Sequence, residues 1–232
     1  RHGLLVIVGS LLFGSLLLAV KNGITQAKPK EEESVAKAIR RGGLREAARI
    51  KGEYKGTVRT TGWMKFDLDG ITSNSSNIVI GVPLSGSSAI AASGGDRIET
   101  KYKVKVEKVL KGESSDLLNV VVPGGKVTFE DGTSAEIVPA DLGPIVENHR
   151  YIFFLKPNST NSDAFSLTGG GQGLFELTVD SKIMPRGHKT DTVQKNRDQW
   201  AFEFINEIEA AVKKYPTTSS CRWPPRPRSC SE

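Results

Sequence analysis

Residues 98–112 read I-E-T-K-Y-K-V-K-V-E-K-V-L-K-G, the longest two-residue rhythm in the chain. Ile98, Thr100, Tyr102, Val104 and Val106 share one side of an extended backbone, while Glu99, Lys101, Lys103, Lys105 and Glu107 share the other. Alternation of this kind specifies a strand with one buried and one wet face. The rhythm slips at Lys108 and Val109, where the apolar residue moves to the odd positions, as a bulge that bends the strand would cause. Gly112 then releases the chain. A long bulged strand suits a curved sheet that closes on itself.

Upstream, residues 77–84 (N-I-V-I-G-V-P-L) are nearly continuously apolar and predict a strand buried on both faces. Residues 85–96 (S-G-S-S-A-I-A-A-S-G-G-D) predict a small-residue loop that joins these two strands into a wide hairpin. Downstream, residues 118–122 give a third strand, ended by Pro123-Gly124-Gly125. Residues 126–130 and 133–138 form a hairpin around Asp131-Gly132. A three-residue loop with Gly132 left-handed puts Val127 and Phe129 on the face of Thr133, Ala135 and Ile137, whereas a two-residue loop would set Phe129 beside Ser134. Hydrophobic matching selects the longer loop. After a crossover at 140–148, R-Y-I-F-F-L at 150–155 is the most apolar strand and belongs at the centre. Residues 165–168 and 173–179 predict a last strand pair across the glycine-rich segment 169–173.

Helical signals flank these strands. Residues 35–50 carry Val35, Ala38, Ile39, Ala47 and Ile50 at helical spacing, but Gly42 and Gly43 interrupt them and predict a break. Their basic residues, Arg40, Arg41, Arg45 and Arg49 among them, suit either anionic lipid headgroups or plain solvent. A short edge strand is expected at 56–60. Asp67 or Asp69 caps a short helix at 68–76; the Asp67-Leu68-Asp69-Gly70 run starts like a calcium loop but lacks the later ligands. From about Asp191 or Asn196 to Tyr215, Trp200, Phe204, Ile208 and Ala211 with Ala201, Ile205 and Val212 mark an amphipathic helix packed as a lid on the strands.

The two ends point to export. Residues 4–20 are apolar and uncharged, roughly 25 Å as a helix. Small residues up to Ala27 suit a signal-peptide cleavage, while Lys21 directly after the apolar run suits a retained membrane anchor. Either fate places the body outside the cytoplasm, whether periplasmic, cell-surface or secreted. The division expected is 1–27 signal peptide or anchor, 28–67 charged spacer and first helix, 68–182 β domain, 183–216 second helix, and 217–232 a disordered Pro/Arg/Cys tail. Cys221 and Cys230, both in that tail, are either a disulfide or two free thiols. A net charge of +6 with aromatics at only 7% argues against a nucleic-acid surface, which interleaves cations with stacking rings.

Reactive chemistry is sparse. His149 and His188 are far apart and lie in no metal-binding pattern, so no metal or cofactor is expected. The serine-rich loop has no G-x-S-x-G elbow, and the glycine-rich segment 169–173 precedes a strand rather than the helix a phosphate cradle needs. An envelope hydrolase built on His149 or His188 is the competing enzyme reading, and a structural membrane-anchored protein is a third.

The segments I-V-I-G-V (78–82), Y-K-V-K-V-E-K-V-L-K-G (102–112), V-V-V-P-G-G (120–125), R-Y-I-F-F-L (150–155) and G-G-G-Q-G-L-F-E-L (169–177) resemble a group of uncharacterised exported bacterial proteins. Over residues 68–179 the resemblance implies a small five-stranded barrel of the oligonucleotide/oligosaccharide-binding (OB) type, as in netrin-like and metalloproteinase-inhibitor-like domains. The N-terminal cysteines of netrin-like domains are missing here, so inhibition through such a cysteine does not transfer. The expected fold is therefore mainly β: an antiparallel OB-like barrel of five to seven strands with flanking helices. The expected role is a non-catalytic module binding an envelope protein or glycan through the open sheet face and the loops at Ser85, Ser87 and Ser88 and at Gly170 and Gln172.

Overall fold

The computed structural model describes residues 29–59, 64–92, 94–187 and 195–216. Residues 1–27, expected as signal peptide or anchor, and His188, Cys221 and Cys230 lie outside these residues. Ten strands and three α-helices are described: α1 (Pro29–Lys51), β1 (Glu53–Val58), α2 (Leu68–Asn74), β2 (Asn77–Ile90), β3 (Ile98–Lys111), β4 (Leu117–Pro123), β5 (Gly125–Thr128), β6 (Ser134–Pro139), β7 (Arg150–Pro157), β8 (Phe165–Leu167), β9 (Leu174–Leu177), β10 (Ile183–Pro185) and α3 (Ala201–Lys214). The fold is mainly β. No helix among the described residues is long and apolar enough to cross a membrane.

One sheet of seven strands runs β10-β9-β7-β2-β3-β4-β8, and β8 also pairs with β7. Within it, β2, β3 and β4 follow one another antiparallel, and β7 returns by a long connection to lie antiparallel beside β2. That is Greek-key connectivity. The long connection carries the β5–β6 hairpin, which with β1 makes a second sheet, β1-β6-β5.

Strand β3 alternates as its sequence dictates: Ile98, Thr100 and Val104 are buried, and Lys101, Lys103 and Lys105 are exposed. Its pairing with β2 jumps from Gly81↔Val106 to Ile80↔Lys108, so Glu107 is a bulged residue, and a second shift places Leu110 opposite no partner. The bulge thus falls one residue before the expected slip. Val109, expected inward, is 40% exposed, and Leu110 turns inward instead.

Four further expectations are corrected. Residues 85–90 are strand, not loop, because β3 holds them from Lys103 to Ile98. The sheets are not purely antiparallel: β1 runs parallel to β6, and β4 parallel to β8. Strands β8 and β9 do not pair with each other; they lie end to end along one edge of β7, against 155–157 and 150–153. Helix α3 starts at Ala201 rather than near 191 or 196, since the backbone at 198–200 bonds to β10 and its approach (Asp198 N to Ile183 O, Ile183 N to Gln199 O, both 2.9 Å). Trp200 therefore sits outside the buried stripe, 48% exposed.

Three apolar clusters result. Val79, Val104, Val120, Tyr151, Phe153 and Leu155 fill the concave side of the large sheet. Ile78, Ile80, Ile152, Phe154 and Phe175 pack on its other side against Ile71 of α2 and Phe204 and Ile208 of α3. Leu44 and Ala48 of α1 meet Phe129, Ala135, Ile137 and Ile98 in the third. The expected cap on α2 is present, with Asp67 Oδ1 accepting from Gly70 N at 2.7 Å. So is the three-residue turn, with Phe129 N bonded to Thr133 O at 2.8 Å and Gly132 at φ 80°.

Helix α1 breaks where expected. Gly43 has φ 71° and ψ −159°, and a Cβ there would lie 2.3 Å from Gly95 O. The break lets Leu44 N donate to that same oxygen at 2.7 Å. Substituting Gly43→Ala should cost about 2 kcal/mol or more in urea unfolding, because strain and clash add, whereas Gly132→Asn, with open space around it and a residue tolerant of positive φ, should cost under about 1 kcal/mol. Equal midpoint shifts would contradict the close approach at Gly95.

Helix α1 is also tied to the β5–β6 turn. Arg45 lies over the Phe129 ring, and Arg49 Nε donates to Asp131 Oδ2 at 3.0 Å. Hydrogen bonds from Thr133, then from Arg49, hold the Asp131 carboxyl down at about 2. A depressed folded pKa contributes stability above the unfolded value near 3.8 that is lost as pH falls through about 2. Between pH 5 and pH 2, Asp131→Asn should therefore lose less of its urea midpoint than the unsubstituted protein; identical losses would show that the turn carboxylate is not linked to folding.

Candidate functional site

Helices α2 and α3 cover only part of the convex side of the large sheet. They lie over Ile78, Ile80, Ile152 and Phe154, and stop short of the outer rows of β3 and β4. Three cross-strand rows stay uncovered: Ser87–Lys101–Val121, Ser85–Lys103–Asn119 and Val82–Lys105–Leu117. Directly opposed residues of antiparallel strands point to one side, so these rows form one surface. Ser85, Ser87, the three lysines and Leu117 are exposed, and Asn119, Val121 and Val82 are half-buried.

Ser88 differs from its two neighbours. It is half-buried, with its hydroxyl 2.9 Å from Thr100 Oγ1, which donates to Gly124 O at 2.6 Å. A Cβ at Gly125 would stand 2.3 Å from both hydroxyls. Ser88 is thus held in the junction between the sheets, while Ser85 and Ser87 face solvent.

Gly170 and Gln172 occupy a 3-10 turn, Gly170–Gly173, between β8 and β9. Gln172 is buried; its Oε1 accepts from Phe66 N at 3.0 Å, and its Nε2 donates to Met64 O at 3.0 Å and Gly169 O at 3.2 Å. An amide so committed fastens the segment before α2 to the turn. Gly170 borders a cleft of about 320 Å³ whose polar lining includes Glu99, Asp141, Lys156, Asn158 and Ser166. No described hydrogen bond joins this turn to the serines, so the two sets of predicted residues are separate.

His149 lies at the entry to β7 with its ring half exposed, and its Nδ1 is 2.6 Å from Glu176 Oε1. Glu176 is buried on β9, and its other oxygen accepts from Arg186 Nη2. The Arg186 Nε is enclosed with no partner among the described residues. Beside them, Val146 N donates to the Tyr151 hydroxyl at 2.9 Å, and burial raises that hydroxyl's pKa above the ordinary tyrosine value. Among the described residues no hydroxyl or thiol is hydrogen-bonded to His149. Nor does any group of three or more His, Cys, Asp or Glu among them have metal-binding geometry.

Glu176 and Arg186 were not singled out in the sequence. The available signal was a carboxylate inside the apolar run L-F-E-L, which a strand paired on both sides can bury only with a cation. Glu176→Ala leaves that guanidinium unpaired and should cost about 3 kcal/mol in chemical unfolding. His149→Ala, at an exposed ring, should cost under about 1 kcal/mol. Comparable losses would mean that the carboxylate is not the centre of the cluster.

With the geometry in place, comparison with known proteins adds no family: no protein-family model and no curated protein matches the chain.

Proposed function

We propose that the chain is an exported, non-catalytic binding module whose β domain is an OB-like barrel, with the uncovered rows of β2, β3 and β4 as its contact surface. One observation carries the barrel reading: the pairings β7-β2-β3-β4-β8 return from β8 to β7, a five-strand circuit in Greek-key order. Its concave side is filled by Val79, Val104, Val120, Phe153 and Leu167, so ligands meet the outside. Barrels of this type bind extended polymers on the outer face of their second and third strands, which correspond to β3 and β4. Export rests on the apolar, uncharged residues 4–20.

The hydrolase alternative has one supporting feature, the His149–Glu176 pair, which resembles the base and orienter of a catalytic triad. Against it, Glu176 is already committed to Arg186, and no described nucleophile is bonded to the ring. The full-length protein in mild detergent, titrated against a panel of neutral and anionic oligosaccharides, should show saturable binding that Ser85→Trp weakens at least about tenfold by covering the middle row. His149→Ala should leave binding unchanged. Turnover of ester or glycoside substrates that disappears in His149→Ala, with Ser85→Trp silent, would replace the binding module with the enzyme.

A further inference from the structure

Lys101, Lys103 and Lys105 project from one side of β3, each two residues from the next and so about 6.8 Å apart along the strand. All three are exposed, and none forms an ion pair with a described residue. Several acidic residues border the row, and none forms an ion pair with it. Glu99 stands half-buried before it, Glu107 after it accepts from Arg150 at 2.7 Å, Glu147 accepts from Gly86 N at 2.9 Å, and the backbone oxygen of Asp163 accepts from the Asn119 amide at 3.3 Å. Some lysines elsewhere are matched by a carboxylate, Lys108 by Glu209, Lys126 by Glu53 and Lys214 by Asp69. Three like charges in a line repel one another, and a chain of regularly spaced anions relieves that repulsion.

We infer that this row is the binding site of an anionic polysaccharide, laid along β3 with its acidic groups on the three ammonium groups and its hydroxyls on Ser85, Ser87 and Asn119. The inference rests on the binding-module reading above and names its ligand class. Strand β3 is hydrogen-bonded to β2 on one edge and β4 on the other, so an acidic peptide has no free edge to extend. The uncovered rows contain no aromatic ring, so nucleic-acid bases have nothing to stack on. What the surface offers is charge at a regular interval, with Ser87 beside Lys101 and Ser85 and Asn119 beside Lys103 on the neighbouring strands, which suits a polymer of charged, hydroxylated sugars.

The test uses the full-length protein in mild detergent and labelled oligogalacturonate, followed by fluorescence anisotropy. Binding should weaken as salt rises. The triple variant Lys101→Gln, Lys103→Gln, Lys105→Gln should bind about tenfold more weakly and show a shallower salt slope. A variant with the same charge change elsewhere, Lys55→Gln, Lys108→Gln, Lys126→Gln, should bind as the unsubstituted protein does, and neutral dextran oligomers should not bind. Equal weakening in both triple variants would reduce the effect to net charge and overturn the proposal. So would absence of oligogalacturonate binding, or tighter row-dependent binding of an oligothymidylate. If the row variant keeps full affinity while Ser85→Trp abolishes oligosaccharide binding, the surface stands and the anionic ligand falls; if neither change matters, both fall.

Discussion

The structure depends on the complete burial of β7. Tyr151, Ile152, Phe153, Phe154 and Leu155 each have 0% exposure, and they divide by parity between two cores. Tyr151, Phe153 and Leu155 face the concave side of the sheet; Ile152 and Phe154 face the helices. At roughly 1.5–3 kcal/mol per large apolar side chain, these five contribute on the order of 10 kcal/mol before chain entropy is charged, comparable to the whole net stability of a domain. A strand buried on both faces must also satisfy both edges. One edge goes to β2, and the other is shared between β9 and β8. That sharing forces the chain to leave the sheet after Leu167 and rejoin it at Leu174 by way of the turn Gly170–Gly173, and Gln172 fastens the excursion to the segment before α2.

Where sequence predicted the fold well, the controlling forces were local. The alternation in β3, the apolar run of β7, the Asp67 cap, the break at Gly43 and the three-residue turn at Gly132 each follow from a few neighbouring residues and hold in the structure. Prediction failed where a distant partner decided the outcome. Residues 85–90 are serine- and glycine-rich, with poor intrinsic strand preference, yet they are strand because β3 supplies the hydrogen bonds. The parallel pairs β1–β6 and β4–β8 join segments with no local signal of one another. The late start of α3 has the same origin: β10 takes the backbone groups that one more helical turn would have used.

The site was less legible than the fold, for the same reason. His149 stood out as a residue type, but its surroundings depend on Glu176 and Arg186, which reach it across β7, β9 and the approach from β10. Ser85, Ser87, Ser88, Gly170 and Gln172 read in sequence as loop residues; in the structure two of the three serines lie on an open strand surface, and the Gln172 amide is spent on backbone. The lysines of β3 read in sequence only as a wet face. Their distinctness comes from tertiary structure, because α2 and α3 end before reaching them.

The bulge at Glu107 sets that limit. Before it, the residues of β3 opposite Lys101, Lys103 and Lys105 in parity, Tyr102, Val104 and Val106, join the concave core, which leaves the lysines on the convex side. After it parity reverses. Lys108 falls on the convex side where α3 lies and is met by Glu209 at 2.8 Å, Leu110 joins the core beneath the helices, and Lys111 is buried with its ammonium on Thr72 O of α2 at 2.7 Å. Without the extra residue, the even positions beyond Val106 would continue into the concave core, placing Lys108 among apolar side chains and Val109 under the helix. The residue inserted at Glu107, with the second shift at Leu110, therefore lets a single strand run from an uncovered cationic surface into a helix-covered interface, where Lys108 meets a carboxylate and Lys111 a backbone oxygen.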